Sequence, residues 1–229
     1  MCGRFARYAA GPDLGALFGV EPPAGLPPRF NLAPSQEALI VRVGAEGARE
    51  LVVAIWGFEL MRPDGSAGLL INARCETAAK KPAFRDSFRR RRCLVPANGF
   101  YEWSAGPPKV PHYLHRADGS CLAFAGLWEP ARRPGAGALP RFTILTRDAD
   151  AVASPIHDRM PVILPTEAFG PWLAGTEAEA LDLLGLLHAA GLVASPVSRR
   201  VNDPGNDDPG CIAPVGAGGA DPIPRLPGI

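Results

Sequence analysis

Nowhere does the chain run for the ~18 consecutive apolar residues that a membrane-spanning helix requires, so no helical span is expected. The opening segment also lacks the apolar stretch of a secretion signal, because Arg4, Arg7 and Asp13 interrupt it. Cysteine is scarce. The five residues Cys2, Cys75, Cys93, Cys121 and Cys211 are an odd number without a CxxC pair, which speaks against a disulfide framework or a zinc site and for a reducing cytoplasm. Basic and acidic residues nearly balance, 24 against 23, so no overall basic excess points to a nucleic-acid partner. No P-loop, GxGxxG or nucleophile elbow occurs, and no internal repeat is visible. The "HYLH" pair, 112–115, would splay to opposite faces of a strand, so neither a metal nor a cofactor is expected.

What the chain has is 47% hydrophobic residues, enough for a folded core. Short β-rich runs recur: "EALIVRV" (37–43), "RELVVAIW" (49–56), "GLLINA" (68–73), "NGFYEW" (98–103), "PHYLH" (111–115), "CLAFAGLW" (121–128), "RFTILT" (141–146) and "PVIL" (161–164). Turn-forming stretches such as "PDGSAG" separate them, and no regular helix lies between successive strands. The expected fold is therefore α+β, a compact and mostly antiparallel, barrel-like β core with a few flanking helices. Helices are expected near Pro12–Phe18, over Glu76–Arg90 with a break at Pro82, and from a "TEAE" capping box at Thr176 to Gly191. In the last, Leu181, Leu184, Leu187 and His188 share a stripe expected to face the core. The domain should span 2–213, with 214–229 a flexible Gly/Pro-rich tail.

Four places could carry chemistry. The chain opens "MCGRFARY", and loss of Met1 would leave Cys2 with an α-amine and a thiol on one Cα. The amine titrates near 8 and the thiol near 8.5, and Arg4 and Arg7 are expected to lower both. With an aldehyde the amine forms a Schiff base, and the thiol then closes a five-membered thiazolidine; no internal cysteine can do this. In "INARCET" (71–77), Asn72 is either a turn former or an amide that holds a substrate oxygen, and Arg74 suits a phosphate. In "PANGFYEW" (96–103), strand alternation puts Phe100 and Glu102 on one face. Glu102 is then either solvated at a rim or buried as a proton donor with a raised pKa. In "SPIHDRMP" (154–161), His157 lies in a Pro-bounded loop as ordinary surface or as an acid–base partner.

Together, "MCGRFA", "FNLAPSQ" (30–36), "WGF" (56–58), "INARCETA" (71–78), "RRCLVPANGFYEW" (91–103), "FAGLWE" (124–129), "TILTRDAD" (143–150), "IHDRMPVIL" (156–164) and "VSRRVND" (197–203) resemble, in order, the SOS-response-associated peptidase family. That family is known for shielding abasic sites in single-stranded DNA. The resemblance implies that Cys2 forms a thiazolidine with the ring-opened abasic sugar. It implies that Asn72 orients the substrate, Glu102 assists ring opening and proton transfer, and His157 contacts the sugar and helps reverse the linkage. It places Arg4, Pro34, Arg74, Thr146, Arg159, Ser198 and Arg199 along the DNA. A monomer in the cytoplasm, nucleoid-associated when bound, is expected. After "WGF", where many relatives carry a base-stacking tryptophan, this chain has Leu60 and Met61. Two other readings stand beside it: an N-terminal-nucleophile thiol peptidase or amidase, and a non-covalent reader of modified DNA bases.

Overall fold

The computed structural model describes residues 2–61, 64–131, 138–186 and 191–215. In chain order its strands and helices are β1 (Arg4–Arg7), α1 (Gly11–Phe18), β2 (Arg29–Leu32), β3 (Glu37–Val43), β4 (Arg49–Trp56), β5 (Phe58–Met61), β6 (Ala67–Leu70) and β7 (Asn72–Arg74). There follow α2 (Cys75–Ala78), α3 (Arg85–Arg90), β8 (Arg92–Ala97), β9 (Gly99–Trp103), β10 (Pro111–Arg116), β11 (Leu122–Glu129), β12 (Arg141–Asp148) and β13 (Arg159–Pro161). The chain continues through α4 (Phe169–Ala174), α5 (Glu177–Leu186) and β14 (Leu192–Pro196). The class is α+β, as the strand-rich sequence implies.

One sheet has the order β14-β10-β9-β1-β2, and a larger one runs β11-β8-β3-β4-β12-β13, with β7 beside β12. All pairings are antiparallel except those of β12 with β4 and β7. The larger sheet curls back on itself because β11 pairs with β12 as well as with β8. β3 meets β8 only at Val41–Leu94, so the curl is barrel-like without forming a complete barrel. β5 and β6 form a separate hairpin.

Strand alternation sorts side chains into three apolar layers. Ala38 and Ile40 of β3, Cys93 and Val95 of β8, and Phe124 of β11 join Phe5, Trp56, Phe100 and Phe142 in a core between the sheets. The intervening Leu39, Val41, Leu94, Ala125 and Leu127 pack instead with Phe18, Phe88, Phe169 and Trp172 of the helices. A third cluster holds Ala6, Tyr101 and Tyr113 against Val197, Val201 and Cys211. The larger sheet is thus apolar on both faces, which is why its strands read as continuous runs rather than alternating ones.

Several expectations change. "GLLINA" is split: β6 stays in the hairpin, while β7 leaves Ile71 to join the larger sheet. Only the start of "PVIL" is strand, with Ile163 contributing an isolated bridge to Phe124. The second helical segment is two short helices, α2 and α3, with Phe84 and Phe88 both buried. The Thr176–Glu179 capping box forms, the Thr176 backbone N–H donating to Glu179 at 2.6 Å and the Glu179 N–H to Thr176 Oγ1 at 3.2 Å. Leu184 packs on the helix-side core, but Leu181 is 43% exposed. Ala180 takes the buried position, so the apolar stripe is rotated from the expected one. Leu187 and His188 lie outside the described residues. Pro214 bridges Val197, so ordered pairing continues past 213; 216–229 of the expected tail lie outside the described residues.

Asn98 ties the end of β1 to the start of β9. It is 5% exposed, and its Oδ1 accepts from the backbone N–H groups of Tyr8 and Ala9 at 2.7 and 2.8 Å. Asn98→Ala removes the acceptor of two backbone donors on half-buried residues and should cost about 1–3 kcal/mol, read as a lower urea midpoint with an unchanged slope.

Candidate functional site

β1 lies inside the smaller sheet, with Phe5 opposite Phe100 of β9 on one side and Leu32 of β2 on the other. This anchoring carries Cys2, just upstream, into the core between the sheets, where it is fully buried. Its carbonyl accepts a 2.8 Å hydrogen bond from Asn72 Nδ2, and its Sγ faces the Arg4 carbonyl at 3.7 Å. Asn72 is placed by β7, which runs parallel to β12 with Asn72 beside Ile144. The carbonyl of Ile71 pins this turn by accepting from Trp56 Nε1 at 2.9 Å and from the Ile144 N–H at 3.1 Å. Asn72 Oδ1 is buried and has no hydrogen-bond partner among the described residues.

Glu102 follows Phe100 on the same face of β9 and is 4% exposed. Burial raises its carboxyl above the usual carboxylate range, with the nearby charge of His157 pulling the other way. The Cys2 thiol is raised well above its ordinary value, first by burial and then by the negative charge of Glu102. Cys2, Asn72, Glu102 and His157 are therefore one cluster, joined by a hydrogen bond and by mutual electrostatics. His112, on β10, stands opposite Glu102 in register. The sequence shows "HYLH" only as a weak pair; what gives His112 a place at the site is strand register, which no local motif displays. His157 rides on the loop between β12 and β13. It also borders a groove of about 520 Å³ lined by Trp103, Lys109, Ser154, Ile156 and Asp158.

The family description "SOS response associated peptidase (SRAP)" matches residues 1–204. The chain belongs to this family. It is 35% identical over 224 residues to the abasic site processing protein YoqW of Bacillus subtilis, covering 93% of this chain and 99% of that one. To the abasic site processing protein YedK of Escherichia coli it is 32% identical over 226 residues, covering 94% and 100%. A phage-related protein from Bordetella bronchiseptica of solved structure aligns at 32% identity with a TM-score of 0.71, over 86% of this chain and 94% of that one.

The other residues that family resemblance singles out are dispersed around this SRAP core in different states. Arg74 and Arg199 are exposed, and neither makes an ion pair among the described residues. Pro34 is half-buried in the turn before β3, where Ser35 adopts a positive φ of 68°. Thr146 is fully buried on β12. Ser198 is buried too and caps the turn Arg199–Asn202, accepting from the Arg200 N–H. Arg159 is 8% exposed and bound to carboxylates within the protein.

The expected influence of Arg4 and Arg7 on Cys2 is not realised. Arg4 Nη1 donates to Asn31 Oδ1 at 2.9 Å and to the Val201 carbonyl at 2.6 Å. Arg7 donates to the Pro27 carbonyl at 2.5 Å. Neither figures among the charges acting on the thiol, which burial raises instead. Sequence reading also missed Asn31. Fully buried, it donates to the carbonyls of Val201, Asp203 and Asn206 while receiving Arg4, and it thereby docks the 199–206 segment beside β1 and β2. The motif "FNLAPS" contains it, but nothing local distinguishes it from a turn asparagine. Among the described residues no group of His, Cys, Asp and Glu is placed to hold a metal.

A thiol peptidase needs a depressed thiol beside a cation; here the thiol is raised and its carboxylate neighbour raises it further. A buried carboxyl with a raised pKa suits a proton carrier near neutrality. The same raised pKa fixes a sign. A group whose folded pKa lies above its unfolded value contributes most below the unfolded value and loses that contribution as pH rises through the folded one. Glu102→Gln should therefore unfold at higher urea concentration than the parent at pH 8. The difference should vanish below about pH 4, near the unfolded glutamate value.

Proposed function

We propose that this protein captures abasic sites in single-stranded DNA as a covalent thiazolidine on Cys2 after Met1 is removed. What carries the reading is the placement of Cys2 at the meeting point of Asn72, Glu102 and His157, in a chain whose full-length relatives are named abasic site processing proteins. Removing Met1 creates the α-amine at the residue whose carbonyl Asn72 already holds.

The amine nitrogen attacks the aldehyde carbon of the ring-opened sugar. The protonated Glu102 carboxyl gives a proton to the departing hydroxyl, which leaves as water, and takes back the proton that the nitrogen sheds as the imine forms. The Cys2 sulfur then adds to the same carbon, and the thiol proton passes to the ring nitrogen. A raised thiol is no obstacle to this order, because the amine reacts first and the thiol then adds within one residue at very high effective concentration. Asn72 fixes the Cys2 backbone, and its buried Oδ1 is free to accept from the amine. His157 serves the reverse step by protonating the nitrogen as the ring reopens.

Arg74 and Arg199 are assigned to the phosphates, since their guanidinium groups remain exposed for counter-ion exchange with DNA. Single strands are favoured because a sugar must bend into a site between two sheets without a paired strand behind it. The β5–β6 hairpin presents Met61, 62% exposed, and Leu69, 41% exposed, where an aromatic residue would stack on a base. Stacking on an aromatic contributes roughly 1–3 kcal/mol per base, so Met61→Trp should tighten binding to single strands. We assign the protein to the cytoplasm as a monomer.

Incubation with a single-stranded oligonucleotide carrying an abasic site should give a heat-stable adduct without added reductant. Cys2→Ala should abolish it, and Glu102→Gln should slow it ~10²-fold or more. A Cys2→Ala protein that crosslinks as well as the parent refutes the proposal.

A further inference from the structure

Arg159, at the end of the loop that carries His157, reaches the helix that directly follows the strand carrying Asn72. Glu76, in α2 directly after β7, takes its guanidinium in a two-pronged pair, Nη1 to Oε1 at 2.7 Å and Nη2 to Oε2 at 2.9 Å. Asp148, at the end of β12, accepts from Nη1 at 2.5 Å, and the Thr146 carbonyl accepts from Nη2 at 2.7 Å. These bonds use all the terminal N–H groups of Arg159. Its Nε is buried as well. The pair is charge-assisted and planar, the geometry that fixes orientation best. Hydrogen bonds from Arg159 accordingly hold the Glu76 carboxyl below the usual carboxylate range.

The backbone of the same arginine sets the imidazole. The Arg159 N–H donates to His157 Nδ1 at 3.0 Å, and Asp158 Oδ1 stands 2.8 Å from the same nitrogen. Both contacts cannot be hydrogen bonds at once. A neutral ring offers Nδ1 a lone pair to the Arg159 N–H and so carries its proton on Nε2, whereas a protonated ring donates from Nδ1 to Asp158. The loop is otherwise closed on itself through Ala149 N–H to the Asp158 carbonyl at 2.9 Å and His157 N–H to the Ala153 carbonyl at 3.0 Å. Its neck is the Asp148–Arg159 register pair.

We propose that Glu76 is a positioning residue that, by clamping Arg159, holds the His157 ring and the Asn72 strand in fixed relation around Cys2. This rests on the crosslinking role proposed above for that site. Glu76 acts through Arg159 and touches no reacting atom. Its loss leaves the fold's core untouched, since Glu76 itself lies at the surface with its side chain 46% exposed. A displaced ring loses the alignment on which covalent capture depends, a loss that can reach ~10²-fold for about 1 Å.

The test compares the parent with Glu76→Gln and Glu76→Asp in two independent measurements. Nitrogen-15 NMR of the imidazole, without DNA, should show one dominant His157 state in the parent, set by which of the two Nδ1 contacts is the hydrogen bond; Glu76→Gln should shift it toward a mixture of states, and Glu76→Asp should restore the parent pattern in part. At saturating abasic single-stranded DNA, Glu76→Gln should slow adduct formation ~10-fold or more, while its affinity for the same strand with intact bases stays within about twofold. An unchanged His157 spectrum in Glu76→Gln overturns the clamp whether or not any adduct forms. An unchanged adduct rate alongside altered affinity for the intact strand also overturns it, and makes Glu76 a regulator of DNA contact. If the parent itself forms no adduct, the crosslinking proposal fails, and the NMR arm still decides on the clamp.

Discussion

The hydrogen bond from Asn72 to the Cys2 carbonyl is the constraint on which the rest of the site depends. Chain ends ordinarily fray. Here the first strand lies between β9 and β2 rather than at an edge, and Cys2, two residues ahead of it, is sealed in the core between the sheets. Asn72 in turn is fixed from the other sheet, through β7 beside β12 and the bonds to the Ile71 carbonyl. The bond therefore joins the two sheets at the point where chemistry is proposed, and the remaining groups are arranged around a backbone that cannot drift.

The electrostatics of the site work against stability and for reactivity. A carboxyl and a thiol share a poorly solvated space with an imidazole at its rim, and burial disfavours the charged form of the first two. Such a cluster is a poor way to fill a core, since an apolar residue at Glu102 would pack without any desolvation cost. The proton transfers proposed for the site are what would offset that cost. Outside this cluster the charges are treated conventionally. Arg92 is sheathed by the carbonyls of Phe88, Arg89, Trp172 and Gly175, and Asp207 binds Arg29 and the backbone of Phe30 and Asn31.

Much of the fold was legible because period-2 patterns and turn chemistry act locally. "EALIVRV" and "RELVVAIW" coincide with β3 and β4. β1, β2 and β14 were not read, because each is short and gains its partners from distant segments. β8 hid behind Pro96 and a flanking arginine run, and its burial on both faces is a property of the assembled layers. At the candidate site, Cys2, Asn72, Glu102 and His157 are legible through motifs; alternation puts Glu102 on the face of Phe100 but leaves rim and burial open, and the packed sheets bury it. The raised thiol was not, because proximity in sequence suggested that Arg4 and Arg7 would act on Cys2, whereas their side chains are drawn to distant carbonyls. His112, Asn31 and the carboxylates around Arg159 share that origin: each owes its place to register or to a partner remote in sequence.

The central claim concerns two nucleophilic atoms on one carbon, and mass spectrometry of the protein after exposure to an abasic oligonucleotide addresses it directly. The predicted product lacks Met1, weighs the sum of protein and oligonucleotide less one water, and yields a modified peptide beginning at Cys2. An adduct on a lysine, or on a chain that still carries Met1, would contradict the account.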